Sequence, residues 1–313
     1  MGTPEFAVET LKALVENNYN VVAVVTQPDK PVGRHQTEMQ PSQVKQYAVA
    51  HGLPVLQPEK MKDPVFIEQL RSYNANLQVV VAFRMLPEVV WAMPEYGTFN
   101  VHAALLPQYR GAAPINWAVI NGETQTGVTT FFLDHDIDTG RIILKKTFDI
   151  PDEADVEYVY DGLMHLGAEI CLETLEAIVA ANGHPDSIPQ DSVLDGSAIK
   201  PAPKIFKETC EIDWQKTAKQ VYDFVRGLSP YPGAWTTLVA PDGKETVLKI
   251  YKTRKTGKPG KGIGTITIEG KALCVSAADE QLEIVELQLA GKKRMMARDF
   301  LNGMKQIEDY RVK

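Results

Sequence analysis

Asn100 and His102 stand two residues apart in the stretch N-V-H-A-A-L-L-P-Q-Y-R-G, residues 100–111. In an extended strand, residues two apart face the same way. An amide N–H and an imidazolium N–H on one face can stabilise an oxyanion developing on a carbonyl carbon. A neutral imidazole, with a reference pKa of about 6.5, can take a proton from an attacking amine near neutral pH. A second stretch, D-H-D-I-D-T-G at residues 134–140, offers carboxylates. The alternation of Asp134, Asp136 and Asp138 invites a calcium-loop reading. It fails, because Thr139 stands where that loop needs Gly and Lys145 where it needs a bidentate Glu. A single carboxylate turned toward His102 would instead fix its tautomer and favour its charged form. Asn, His and Asp together suit direct acyl transfer from a carrier to an amine, with no side-chain nucleophile. Taken singly, Asn-x-His also describes a structural histidine beside a strand-end amide, and the acidic stretch a solvated turn.

The elements around these residues must place them at the rim of a sheet. Apolar spacing predicts helices at Phe6–Asn17, Ser42–His51 with Ser42 as N-cap, Pro64–Tyr73, Pro114–Asn121 and Val156–Ala181. Between them lie strand patterns at Val21–Thr26, Leu53–Gln57, Leu77–Ala82, Thr98–His102, Val128–Leu133 and Gly140–Phe148. Strand–helix alternation implies a doubly wound, mostly parallel sheet with helices on both faces. In such a sheet the ligand crevice forms at the carboxyl ends of the strands, where Asn100 and His102 fall. Phe99 and Val101 then point into the core.

The chain of 313 residues is long enough for two domains. Its 44% apolar and 23% charged content is that of an ordinary globular protein. No stretch reaches the roughly 20 apolar residues of a membrane span, and no leader pattern is visible. Cys171, Cys210 and Cys274 lack the spacing of a zinc site or redox pair, and read as buried thiols in a reducing cytoplasm. The net charge of −7 argues against wholesale coating of nucleic acid but leaves local basic patches open.

A Pro-rich stretch marks a linker at 184–204, between a domain at 1–183 and a second at 205–313. In the second, a helix pattern at Ile212–Arg226 precedes β segments at Thr246–Lys252, Gly264–Glu269, Leu273–Ala277 and Leu282–Leu289, which suggest a small closed barrel. Residues 248–262 carry six basic residues and no acid, and Lys292, Lys293, Arg294 and Arg298 form another cluster. A charge run is often only a solubilising face. On a barrel it is also a credible phosphate-contacting surface.

The stretch F-N-V-H-A-A-L-L-P-Q-Y-R-G-A-A-P at Phe99–Pro114 and D-I-D-T-G at Asp136–Gly140 resemble the signature of the folate-dependent formyltransferases. M-G-T-P-E-F-A at Met1–Ala7, T-Q-P-D-K-P-V-G-R at Thr26–Arg34, I-D-W at Ile212–Trp214 and L-A-G-K-K-R-M at Leu289–Met295 resemble, in order, elements of the branch of that family acting on methionyl-tRNA. The resemblance implies a Rossmann-like catalytic domain followed by an OB-like barrel. It implies formyl transfer from 10-formyltetrahydrofolate to the α-amine of methionyl initiator tRNA by a metal-free, cytoplasmic monomer without membrane attachment. Asn100 and His102 would hold the oxyanion, His102 would handle the proton, and Asp138 would orient His102. Folate binding maps onto Ala104, Leu105, Leu106 and Pro107. The family usually has Ser at the position of Ala104, so contacts there fall to backbone groups and shape. Phe83–Pro87 is shorter than the family's usual loop. Lys30, Arg34, Arg254, Lys255, Lys258, Lys292 and Lys293 are the expected tRNA contacts.

Two other readings stay open at this level. The same trio would serve a formyltransferase acting on an amino-sugar nucleotide, against which the basic barrel and the Thr26–Arg34 stretch argue. It would also survive in a non-catalytic RNA-binding protein of the same fold, against which the intact trio argues. Members of the family carry an apolar strand directly before the Gly-Thr-Pro turn. The expectation is therefore that the natural chain has such a strand upstream of Met1, and that its slot lies open between Val21–Thr26 and Leu77–Ala82.

Overall fold

The computed structural model describes residues 1–32, 38–194, 196–304 and 306–313. The chain falls into two compact units, one comprising residues 1–111, 125–149 and 160–201, the other residues 112–124, 150–159 and 202–313. Residues 112–124 and 150–159 fall within the 1–183 range of the expected catalytic domain, yet they pack with the C-terminal unit.

In chain order the elements up to the linker are α1 (Glu5–Glu16), β1 (Val24–Val25), β2 (Lys30–Val32), β3 (Glu38–Gln40), α2 (Gln43–Ala50), β4 (Val55–Leu56), α3 (Pro64–Ser72), β5 (Gln78–Val81), α4 (Glu88–Trp91), β6 (Thr98–His102), α5 (Pro114–Ile120), β7 (Gln125–Phe132), β8 (Ile142–Asp149) and α6 (Val156–Ala180). Local chemistry sets several boundaries. Ser42 Oγ accepts the Lys45 N–H at 3.1 Å and starts α2. Asp63 Oδ1 accepts the Val65 N–H at 3.0 Å and starts α3, with Pro64 at the position where a missing N–H costs nothing. β5 and β6 pair in parallel, and β6–β7 and β7–β8 are antiparallel, giving the order β5-β6-β7-β8. The sheet is thus parallel on one side of β6 and antiparallel on the other. β1 and β4 form a separate parallel pair.

β1 and β5 do not pair with each other. Among the described residues Met1 and Gly2 bridge them: Gly2 donates its N–H to Val25 O at 3.0 Å, and Met1 O accepts the Val81 N–H at 2.9 Å. Beyond these two residues a cavity of about 610 Å³ opens, lined by Val21, Val25, Leu77, Val79, Leu175 and Ile178 among others. The strand at Val21–Thr26 is accordingly reduced to Val24–Val25.

The second unit contributes α7 (Ala218–Gly227), β9 (Ala234–Val239), β10 (Glu245–Pro259), β11 (Ile266–Glu269), β12 (Ala272–Ser276), β13 (Glu280–Leu289), β14 (Met295–Met296), α8 (Ala297–Gly303) and β15 (Arg311–Val312). Its antiparallel sheet runs β11-β12-β13-β10-β9-β15 and curls, and a bridge between Thr265 and Arg311 brings its two ends together. α7 begins later than the helix pattern at Ile212–Arg226 suggests. Thr217 and Gln220 form a reciprocal capping box there. Ile212 and Trp214 instead sit in the core, each 2% exposed, and the Trp214 indole donates to Thr236 Oγ1 at 3.0 Å. No helix among the described residues is long and apolar enough to cross a membrane.

Candidate active site

β6 delivers Asn100 and His102 to one face of the sheet. Phe99 and Val101, 0% and 3% exposed, anchor the opposite face in the core. The Asn100 amide makes no hydrogen bond among the described residues, and its Oδ1 is buried with no partner. A buried polar atom left unmatched is costly.

His102 is more enclosed than a crevice-lining residue need be, at 6% exposure. Its Nε2 lies 2.9 Å from the Tyr109 carbonyl oxygen. A carbonyl only accepts, so Nε2 carries the proton. On the other side of the ring, Nδ1 stands 3.9 Å from Asp138 Oδ2. Each ring nitrogen therefore faces an oxygen acceptor. Phe131 approaches the ring edge-on, with ring centroids 6.3 Å apart.

Of the three aspartates in the 134–140 stretch, only Asp138 turns inward. Asp134 Oδ1 accepts from Asp136 N–H at 3.2 Å and from Thr139 Oγ1 at 2.7 Å, so Asp134 shapes an exposed turn. Asp138 takes a left-handed backbone conformation, φ 56°, and its Oδ2 accepts the Gly111 N–H at 2.9 Å. Gly140 is required by crowding: a Cβ there would lie 1.6 Å from the Phe132 carbonyl oxygen. Among the described residues no group of three or more His, Cys, Asp or Glu is placed to hold a metal ion.

The segment after β6 carries the positions expected to meet folate. Ala104, Leu106 and Pro107 have buried side chains, and Leu105 is partly exposed. Thr129 Oγ1 donates to Ala104 O at 2.7 Å and accepts the Leu106 N–H at 3.1 Å, while Ala104 N–H donates to His102 O at 2.9 Å. The backbone at Ala104 and Leu106 is therefore largely engaged within the protein. Leu105 is left as the side chain open to a ligand.

Two residues at this site carry no signal in the sequence pattern. Gln190, in the Pro-rich linker, is 3% exposed. Its Nε2 donates to the carbonyl oxygens of Asp138 and Gly140, each at 2.8 Å. Its Oε1 accepts from Arg110 Nε at 3.0 Å and Nη2 at 2.7 Å. Arg110 lies inside the signature stretch, but nothing in its spacing points to a partner eighty residues on.

The basic residues divide by pairing. Arg254 is 2.8 Å from Glu283, Lys255 is 2.5 Å from Asp152, and Lys258 pairs with Glu269. The absence of acids along residues 248–262 is thus made good by carboxylates on neighbouring strands and on the turn at Asp152, with β10 running on to Pro259 instead of ending at Lys252. Lys292 and Lys293 are exposed and in no ion pair among the described residues. Lys30 is exposed at the start of the β2–β3 hairpin, and Arg34 lies outside the described residues.

Comparison with known proteins adds sequence and fold likeness. The family profile described as formyl transferase matches residues 1–175, and that of the formyl transferase C-terminal domain matches residues 204–305. A methionyl-tRNA formyltransferase of Parabacteroides distasonis is 59% identical, covering 100% of this chain and 97% of its own. One from Porphyromonas gingivalis is 48% identical over 97% of this chain and 94% of its own. Among solved structures, the sugar 3N-formyl transferase WlaRD superposes with a TM-score of 0.63 at 18% identity, covering 93% of this chain and 97% of that one. HypX from Aquifex aeolicus, in complex with tetrahydrofolic acid, superposes at 0.56 with 21% identity, over 82% of this chain and 44% of that one.

Proposed function

The chain belongs to the formyl transferase family, and from that premise we propose that it formylates the α-amine of methionyl initiator tRNA, with 10-formyltetrahydrofolate as donor, in support of translation initiation. The observation that carries this reading is the likeness, through both domains, to methionyl-tRNA formyltransferases at 48–59% identity. The sugar N-formyltransferase WlaRD shares the fold at only 18%.

The proposed chemistry follows from the trio. The amine nitrogen forms a bond to the formyl carbon, the bond from that carbon to the folate nitrogen breaks, and one proton passes from the amine to the leaving nitrogen. The Asn100 Nδ2–H₂, which makes no hydrogen bond among the described residues, is suited to donate to the formyl oxygen as it gains charge. With its proton on Nδ1, toward Asp138, and Nε2 exchanged from the Tyr109 carbonyl to the substrate, His102 takes the amine proton on Nε2, donates from there to the formyl oxygen while it is charged, and passes the proton to the leaving nitrogen. Asp138, facing Nδ1, balances the positive charge the ring holds on the way. No step draws on a metal.

Ala104, Leu105, Leu106 and Pro107 are proposed to form a wall of the folate site, with Leu105 offering its side chain and the others shape. Lys30, Arg34, Arg254, Lys255, Lys258, Lys292 and Lys293 are proposed to meet the tRNA backbone, Lys292 and Lys293 with the least competition from acids. The division into a catalytic domain, a linker and a tRNA-binding domain at 1–183, 184–204 and 205–313 is part of the same proposal. So is action as a cytoplasmic monomer; three buried reduced thiols support the compartment.

The test is a formylation assay with 10-formyltetrahydrofolate against methionyl initiator tRNA and, in parallel, a nucleotide-linked amino sugar. Formyl transfer to the tRNA alone is the expected result. Transfer to the sugar alone, or to neither, overturns the proposal.

A further inference from the structure

We propose that Gln190, a linker residue outside both matched family domains, is the positioning residue that holds the Asp138 carboxylate toward His102. The effect on turnover rests on the function proposed above. The effect on the His102 ring does not.

Asp138 sits at φ 56°. An L residue other than Gly keeps that conformation only where its surroundings dictate it. Three contacts do so here. The Gly111 N–H holds the carboxylate at 2.9 Å. Gly140 fits against the Phe132 carbonyl oxygen with no room for a Cβ. Gln190 closes the loop between them by donating to both Asp138 O and Gly140 O at 2.8 Å.

The orientation of that amide is not arbitrary. Arg110 has donors only, so the oxygen of Gln190 must face it and the NH₂ must face the two carbonyls. Arg110 directly precedes Gly111, whose N–H holds the carboxylate. One buried amide therefore ties together the two loops, 109–111 and 138–140, that meet at the carboxylate. The linker is itself fixed at this point. Ile188 and Ile142 exchange two backbone hydrogen bonds at 2.9 Å just before Gln190 and at the start of β8. With Gln190 gone, two carbonyls are left without their donor, the loop relaxes from its left-handed turn, and the carboxylate drifts from Nδ1. Sub-ångström placement of such a group matters: a displacement of about 1 Å can cost on the order of a hundredfold in rate.

The test uses Gln190→Ala and Gln190→Glu in the full-length chain, alone and combined with Asp138→Asn. Gln190→Glu keeps volume and the Arg110 contacts but sets an oxygen against the two carbonyls; it serves where the alanine variant does not fold. Each single variant should lose on the order of ten- to a hundredfold in kcat, with KM for both substrates within about threefold. Added to Asp138→Asn, Gln190→Ala should cost nothing further, because the two act through one carboxylate. A loss confined to KM, or an equal loss in both backgrounds, overturns the proposal. A wild-type chain that formylates neither acceptor would sink the proposed function instead, and the His102 ring signals by NMR would then decide. In Gln190→Ala they should move to the positions seen in Asp138→Asn. Unmoved signals overturn the positioning role whatever the activity.

Discussion

Asp138 and His102 meet across a gap of 3.9 Å, carboxylate oxygen to Nδ1, while the opposite ring nitrogen is held at 2.9 Å by the Tyr109 carbonyl. The imidazole is thus clamped between two acceptors, and the strand that presents it also presents an amide with no partner. The proposed function uses this arrangement to pass a proton and to meet a developing negative charge at one place. In that proposal the ring acts on the passing proton and the developing charge and not on the resting substrate.

His102→Ala should therefore cost turnover and not folate affinity. A group that acts in the transition state falls on kcat, and proton-transfer roles are worth about 10²–10⁴-fold. Folate affinity by equilibrium titration should stay within about threefold, since the four mapped folate positions follow the histidine in the chain. Turnover close to wild type in a steady-state assay would remove His102 from the mechanism.

The trio was legible in the sequence because strand alternation and a signature stretch fix where Asn100 and His102 point. β6 has the bounds that the alternation predicts, Thr98–His102. Asp138 could be picked from three aspartates by resemblance, but its inward turn involves, besides the nearby Gly140, the contacts of Gly111 and Gln190, which are distant in sequence. Gln190 itself was not legible: a glutamine among prolines has no period, and its role exists only once the linker is strapped to β8. The reach of β10 to Pro259 was missed for a related reason. A run of lysines reads as a loop until the carboxylates of neighbouring strands and loops, Glu283, Glu269 and Asp152, are seen to neutralise it.

That pairing separates the basic residues in a measurable way. Replacing both Lys292 and Lys293 with Ala should lower the slope of log affinity for tRNA against log salt by about one for each phosphate left without its lysine. Replacing Arg254, Lys255 and Lys258 together should change the slope less per residue, because each already has a carboxylate partner to give up. A larger effect from the triple variant than from the double, read by filter binding over a salt series, would show that the ion pairs open for RNA.

The thiols should be inert in the folded chain. Cys171, Cys210 and Cys274 are all free and buried. Burial pushes the Cys171 thiol up to about 12, and raises the other two as well. The thiolate is the reactive form, so a thiol reagent at pH 8 should label the native protein slowly and all three cysteines once it is denatured. Rapid labelling of Cys171 in the native protein would contradict the burial.

The cavity between β1 and β5 makes the last expectation. The Met1 ammonium is buried at its edge, 2.7 Å from the Val79 carbonyl oxygen, and burial lowers it from 8.0 to about 6. The folded chain thus holds this proton less well than the unfolded chain, so between pH 6 and 8 the unfolded state binds more protons and stability rises with pH. At about 1.4 kcal/mol for each pH unit of that drop, about 3 kcal/mol should be lost on going from pH 8 to below pH 6. Joining an apolar strand of about five or six residues to Met1 replaces the ammonium with an amide. It also offers backbone partners to the facing edges at Val21–Val25 and Leu77–Val81, across a cavity of about 610 Å³ lined largely by apolar side chains. The extended chain should melt about 5–10 °C higher at pH 6 and lose the pH dependence between 6 and 8. An extension of Gly and Ser of the same length should remove the pH dependence while gaining less in melting temperature, because it brings no apolar side chains to the cavity. Equal melting temperatures for the apolar and the Gly/Ser extensions would show that the cavity does not accept a strand.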